Sequence, residues 1–271
     1  MGSTTDTEQL ARGEGACSAC LGDRGRWRLP RSLYLVLGIA AGAALFGICE
    51  AVFPIFHAPG ELLVPFPPPE VAVAREAALS KARMLNAVAA LGTLGLLLGG
   101  LLGIGEAAAR RFGEGALKRV PVAAVLGVAL GGAAGIVGHL LTEGLGAVQA
   151  LTPLGRTTVV QAVMLGVFGG GVGASVGLVA GGRRSLLSGC AAGVAAGVAA
   201  GLLFPVVCSL LMHRVKTEVV IPGGVVGGRR EPVALALWIG FVILALSLVI
   251  PLARRRKKPS VAAEPSEAPT E

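Results

Sequence analysis

Histidine and carboxylate side chains are the groups best suited to bind a divalent metal or move a proton near neutral pH, and this 271-residue chain has only three histidines. His139 precedes Glu143 by four residues, a spacing that places both on one face of a helix. His57 follows one long apolar run, His213 ends another, and Glu50 is the only acidic residue inside any such run. A site built from His57, His139, His213 and Glu50, with Glu143 as a further carboxylate, would suit a metal or a proton relay. No H-E-x-x-H or comparable ligand pair supports it, so the expectation is the plainer one: polar residues at helix ends, with no cofactor and no catalytic centre.

Two other stretches invite a chemical reading. Cys17 and Cys20 in "CSAC" are half of a zinc ribbon or a redox pair, but a second C-x-x-C is missing and the segment reads as a polar leader with incidental thiols. The run "GGGVGASVG" has neither the G-x-G-x-x-G spacing nor the Lys-Ser/Thr of a phosphate loop, and it lies within a 22-residue apolar window. Asn86 and Gln161 near the ends of such windows read as hydrogen-bonding groups between helices.

The elements that would have to position these residues are membrane spans. With 54% hydrophobic residues, 15% charged residues and a mean hydropathy of +0.75, the chain departs from soluble domains, in which about 25% of residues are charged. Six windows approach the roughly 20 apolar residues that cross about 30 Å of hydrocarbon: 33–53, 84–105, 120–141, 159–180, 186–212 and 233–252. None contains Lys or Arg. The fold expected is therefore an all-α integral membrane domain over 33–252, with a disordered cytoplasmic leader (1–32) and a basic, then disordered, cytoplasmic tail (253–271). Sixteen Lys and Arg residues flank the spans on one side and eight on the other, which predicts both termini inside a cell membrane. The basic residues fall between apolar runs rather than in a stripe with aromatics, so the net charge of +8 reads as topology and not as nucleic-acid binding. Residues 71–83 read as a helix running on into the second span, Pro205 as a kink or an end in the fifth, and "VKTEVVIPGG" before the sixth as a short hairpin.

The 42 glycines are the strongest pattern in the chain. Gly95, Gly99 and Gly103, then Gly127, Gly131 and Gly135, then Gly169, Gly173 and Gly177, then Gly193, Gly197 and Gly201 each recur every four residues, forming one small-residue face per helix. A shift of 74 residues carries Gly95, Gly99 and Gly103 onto Gly169, Gly173 and Gly177, and a shift of 66 carries Gly127, Gly131 and Gly135 onto Gly193, Gly197 and Gly201. Spans two and three therefore read as a copy of spans four and five: two tandem glycine-rich hairpins in the same orientation, flanked by single spans. The function expected is that of a structural or interaction protein, not an enzyme, in contact with the bilayer and with other membrane proteins or further copies of itself. A small-solute or ion transporter or channel using the hairpin repeat is the alternative.

Overall fold

The computed structural model describes residues 31–62, 68–109, 114–148, 150–211, 221 and 232–255. Cys17, Cys20, His213, most of the segment before the last helix and the tail beyond residue 255 lie outside the described residues. The described elements are helical: α1 (Arg31–Val52), a 3-10 turn (Gly60–Leu62), α2 (Pro69–Ala109), a short α3 (Glu114–Leu117), α4 (Val120–Gly146), α5 (Pro153–Ala180), α6 (Arg183–Leu211) and α7 (Pro232–Arg255). All but α3 and the 3-10 turn are long and apolar enough to cross a membrane. The described residues thus hold six helices long and apolar enough to span a membrane, the architecture of a multi-pass membrane protein.

Proline punctuates the starts of these helices. Pro69, Pro121, Pro153 and Pro232 stand at or just inside helix N-termini, where the missing N–H would have had no partner. At α5 the Thr152 side chain adds a cap by accepting a hydrogen bond from Gly155 N at 3.2 Å. Within α6, Pro205 does not end the helix, which continues to Leu211. The 41 residues of α2 extend roughly 60 Å, about twice the hydrocarbon thickness, so its N-terminal part stands out of the bundle. We call the face holding that projection and the α4–α5 turn the upper face, and the face of the α5–α6 turn the lower face.

The bundle is organised around α5. Of its apolar window 83% is buried, against 22% for α1, because α4, α6, α2 and α7 all pack on it. Helices α2 and α4 form one antiparallel hairpin, α5 and α6 the other, and α1 closes the circuit between α2 and α7. The α5–α6 turn is tight: Gly181 and Gly182 take φ of +79° and +85°, values that only glycine adopts without strain. Large side chains fill the space around the hairpins. Trp238, Phe204, Phe168, Leu45 and Leu246 are fully buried, and the rings of Phe204 and Phe241 meet edge to face with centroids 6.3 Å apart.

Candidate functional site

Three groups of polar side chains join separate elements at the rim or inside the bundle. At the upper face, Ser80 of α2 reaches across to α4, where its Oγ lies 3.2 Å from His139 Nε2 and donates to Glu143 Oε1 at 3.1 Å. The i, i+4 spacing on α4 brings the ring and the carboxylate to one hydroxyl. His139 is buried, and burial of a polar ring is tolerated because it has this partner. Nearly two turns further along α2, Asn86 binds the loop after α1. Its Oδ1 accepts from the backbone N–H of Ile55 and of Phe56, both at 3.0 Å, and its Nδ2 donates to Phe56 O at 2.9 Å. Its partner is loop backbone, where the sequence suggested another helix.

The second group is deeper on the same face. Gln161 of α5 is wholly buried, and its Oε1 accepts from Trp238 Nε1 of α7 at 3.0 Å. Gln161 does join two helices. The third group lies at the lower face, where Tyr34 of α1 donates to Glu106 Oε2 of α2 at 2.6 Å, with Glu106 8% exposed and Tyr34 4% exposed. Ser247 of α7 donates to the backbone oxygen of Tyr34 at 3.3 Å, so α1, α2 and α7 meet there. A buried side-chain bond thus ties each flanking helix to a hairpin, α1 below and α7 above.

Of the residues considered for a metal, His139 is engaged with Ser80, His57 is exposed in the loop after α1, Glu50 is half-buried at the upper end of α1, and His213 lies outside the described residues. Among the described residues, no three His, Cys, Asp or Glu side chains gather closely enough to hold a metal ion. Glu106 is the residue that sequence reasoning overlooked. It stands one position beyond the apolar window ending at Gly105, and helix α2 runs on to Ala109, carrying Glu106 into the bundle. A carboxylate directly continuing a span without a break in helical pattern was the available signal.

The laddered glycines lie where helices cross. A Cβ built on Gly95 would run into the carbonyl oxygen of Gly127, and one on Gly127 into that of Gly95. In the same hairpin, Gly131 faces the Leu91 oxygen, Gly135 lies 2.8 Å by the same measure from Val88 N, and Gly99 lies 2.9 Å from the Ala123 oxygen. In the other hairpin, Gly169 faces the Gly193 oxygen, Gly173 the Gly189 oxygen, Gly193 the Gly169 oxygen and Gly197 the Leu165 oxygen, while Gly177 lies 2.6 Å from the Ser185 oxygen. Gly201 faces the backbone of Gln161. Gly103 is different, since its added methyl would make ordinary contacts at 3.5 Å or more. The first hairpin turns through a longer connection than Gly181–Gly182, so the helices are farther apart near Gly103 than near Gly177. On α1, Gly38 and Gly42 receive the side chains of Ile239 and Ile243, a further small-xxx-small pair that the sequence reading left out.

No protein-family model, no curated protein and no solved structure matches this chain.

Proposed function

We propose that this multi-pass protein acts in the cell membrane, with both termini cytoplasmic, as a structural or interaction protein built on close glycine-mediated packing of two duplicated hairpins. The observation that carries the reading is the register of the two seams. Gly95 meets Gly127, Leu91 meets Gly131, Ala87 meets Gly135 and Gly99 meets Ala123; Gly169 meets Gly193, Leu165 meets Gly197, Gln161 meets Gly201 and Gly173 meets Gly189. Adding 74 to the first member and 66 to the second turns each pair of the first hairpin into a pair of the second, the same offsets that align the glycines in sequence. Seams of this kind exclude side chains and gain dispersion and Cα–H to carbonyl contacts that lipid does not provide. They favour rigid hairpins over a pathway between the paired helices.

The buried polar groups support the same conclusion, because the Tyr34–Glu106 and Trp238–Gln161 bonds join helices to one another. A transporter or channel using the hairpin repeat is the second reading, and one observation favours it: an ionisable residue buried in a spanning bundle, here Glu106, is a default candidate for an ion or proton site. Reconstitution into sealed vesicles separates the two. Flux of protons, cations or small solutes no faster than in protein-free vesicles, together with a discrete self-assembled or partner-bound mass in mild detergent, is the expected result. Flux that depends on the protein and falls in Glu106→Gln would overturn the structural reading in favour of transport. For the topology, a C-terminal fluorescent protein that matures only in the cytoplasm should light up; a dark fusion whose tail is cut by external protease refutes it.

A further inference from the structure

Beside the α4–α5 turn, a cleft of about 210 Å³ opens at the upper face, smaller than the roughly 300–1,000 Å³ of sites for drug-sized molecules. It has room for a lipid head group. Arg156, Thr142, Thr157 and Gly146 supply its polar lining, with Leu145 and Val160 among its apolar walls. Arg156 is the one charged residue of that lining. Its Nη1 donates to Gly146 O at 3.3 Å, a long bond at the C-terminal end of α4, while its Nε is buried with no hydrogen-bond partner. Among the described residues, no carboxylate pairs with the guanidinium. A buried donor left without an acceptor is costly, and a planar guanidinium with unused N–H groups matches the oxygens of a phosphate.

The threonines complete the chemistry. Thr142 Oγ1 donates to Gly138 O at 2.8 Å and Thr157 Oγ1 donates to Pro153 O at 3.0 Å, so their protons are committed and their lone pairs remain to accept. The cleft therefore offers donors at Arg156 and acceptors at the threonines. Its position names the source of the ligand. Arg156 lies three residues before the apolar run that begins at Val159, at the depth of lipid head groups, and the neighbouring Leu140, Val159 and Val163 are exposed along the spans as acyl chains require.

We propose that this cleft binds the head group of a membrane phospholipid, its phosphodiester on Arg156 and a hydrogen-bond donor of the head, an ammonium or a hydroxyl, on Thr142 and Thr157. Phosphatidylethanolamine and phosphatidylglycerol meet both requirements, whereas phosphatidylcholine has the phosphate but no donor. The inference depends only on the six-helix membrane architecture, so it stands or falls separately from the structural or transport role.

Native mass spectrometry of the full chain in mild detergent, titrated with dioleoyl-phosphatidylethanolamine or dioleoyl-phosphatidylcholine, tests it. The wild type is expected to retain the ethanolamine lipid about tenfold better than the choline lipid, the ratio for one good hydrogen bond of about 1.4 kcal/mol. Arg156→Gln should lose that retention by a similar factor, Arg156→Lys should keep part of it, and Thr142→Val should erode the preference for ethanolamine. Lys81→Gln, a charge change on the exposed upper part of α2, should alter nothing, and an unchanged thermal midpoint in each variant shows that the fold is intact. Equal retention of the two lipids, or undiminished retention in folded Arg156→Gln, overturns the proposal. So does displacement by water-soluble glycerophosphoethanolamine at the same concentration, which would make the site one for a free phosphodiester.

Discussion

Replacing Gly193 by alanine tests the hairpin seam most directly. A methyl at Gly193 would fall on the carbonyl oxygen of Gly169, with the Gly169 carbonyl carbon 2.6 Å away and Gly170 N at 3.2 Å. These are backbone atoms, so no rotamer change relieves the clash. Carbon atoms settle at about 3.5–4.0 Å from non-bonded neighbours, so α5 and α6 must separate locally by roughly 1 Å, and a gap of that size forfeits a quarter to a half of each contact beside it. The neighbouring contacts of Gly189 with Gly173 and of Gly197 with Leu165 share that loss. Overpacking costs about 1–3 kcal/mol, and with three successive contacts opened the expected loss is near the top, about 2–3 kcal/mol. Alanine's advantage over glycine in helices offsets little of this, because the backbone stays helical in the membrane even when the tertiary structure is lost. Gly240→Ala is the control, since its methyl would meet nothing within 4 Å and should shift stability by no more than about 0.5 kcal/mol. Equilibrium unfolding in mixed detergent–SDS micelles measures both. If Gly193→Ala is as stable as Gly240→Ala, glycine is not required at this crossing and the seam argument fails. Gly127→Ala provides a second check: it occupies the matching position in the other hairpin, so a penalty far from that of Gly193→Ala would count against the duplication.

Three further outcomes are expected. Gly182→Ala should destabilise by about 1–2 kcal/mol although there is space for the methyl, because φ of +85° strains an L-residue; the same SDS titration reads it, and a neutral result would show that the turn can relax. Tyr34→Phe should cost about 0.6–1.7 kcal/mol, from the mean to the maximum measured for hydrogen bonds between membrane helices, and Trp238→Phe at least as much because the smaller ring also leaves a cavity; no loss in either would remove these bonds as the ties of α1 and α7. Asn86→Leu should speed hydrogen exchange at the Ile55 and Phe56 amides roughly tenfold, as expected for losing on the order of 1.4 kcal/mol of local protection, and unchanged exchange would mean that the loop is held by other contacts.

The polar groups show how far residue types alone can be read. Gln161, inside an apolar window, was recognisable as a hydrogen-bonding group because an amide in hydrocarbon must find a partner, but nothing local named Trp238, 77 positions away. Asn86 was recognisable for the same reason, yet its partner is loop backbone, since the chain leaving α1 folds back against α2. Glu106 was missed because a window that stops at the first charge cannot tell whether the next residue leaves the helix or continues it. The pairing of His139 with Glu143 on one helical face followed from spacing, whereas Ser80 entered only when α2 was laid against α4.

Run length and composition by themselves determined that six of the described helices are long and apolar enough to cross a membrane, because a bilayer admits few other solutions for stretches of about 20 apolar residues whose backbone must satisfy its own hydrogen bonds. Glycine spacing likewise determined which face of each helix is smallest, since 3.6 residues per turn stacks every fourth residue. Only the tertiary structure decided that α5 sits at the centre, that Glu106 turns toward Tyr34, and that Arg156 is left with a buried N–H beside an open cleft. Those outcomes depend on the mutual placement of helices distant in sequence, and hydrophobic periodicity specifies how each helix faces the bundle without specifying its neighbour.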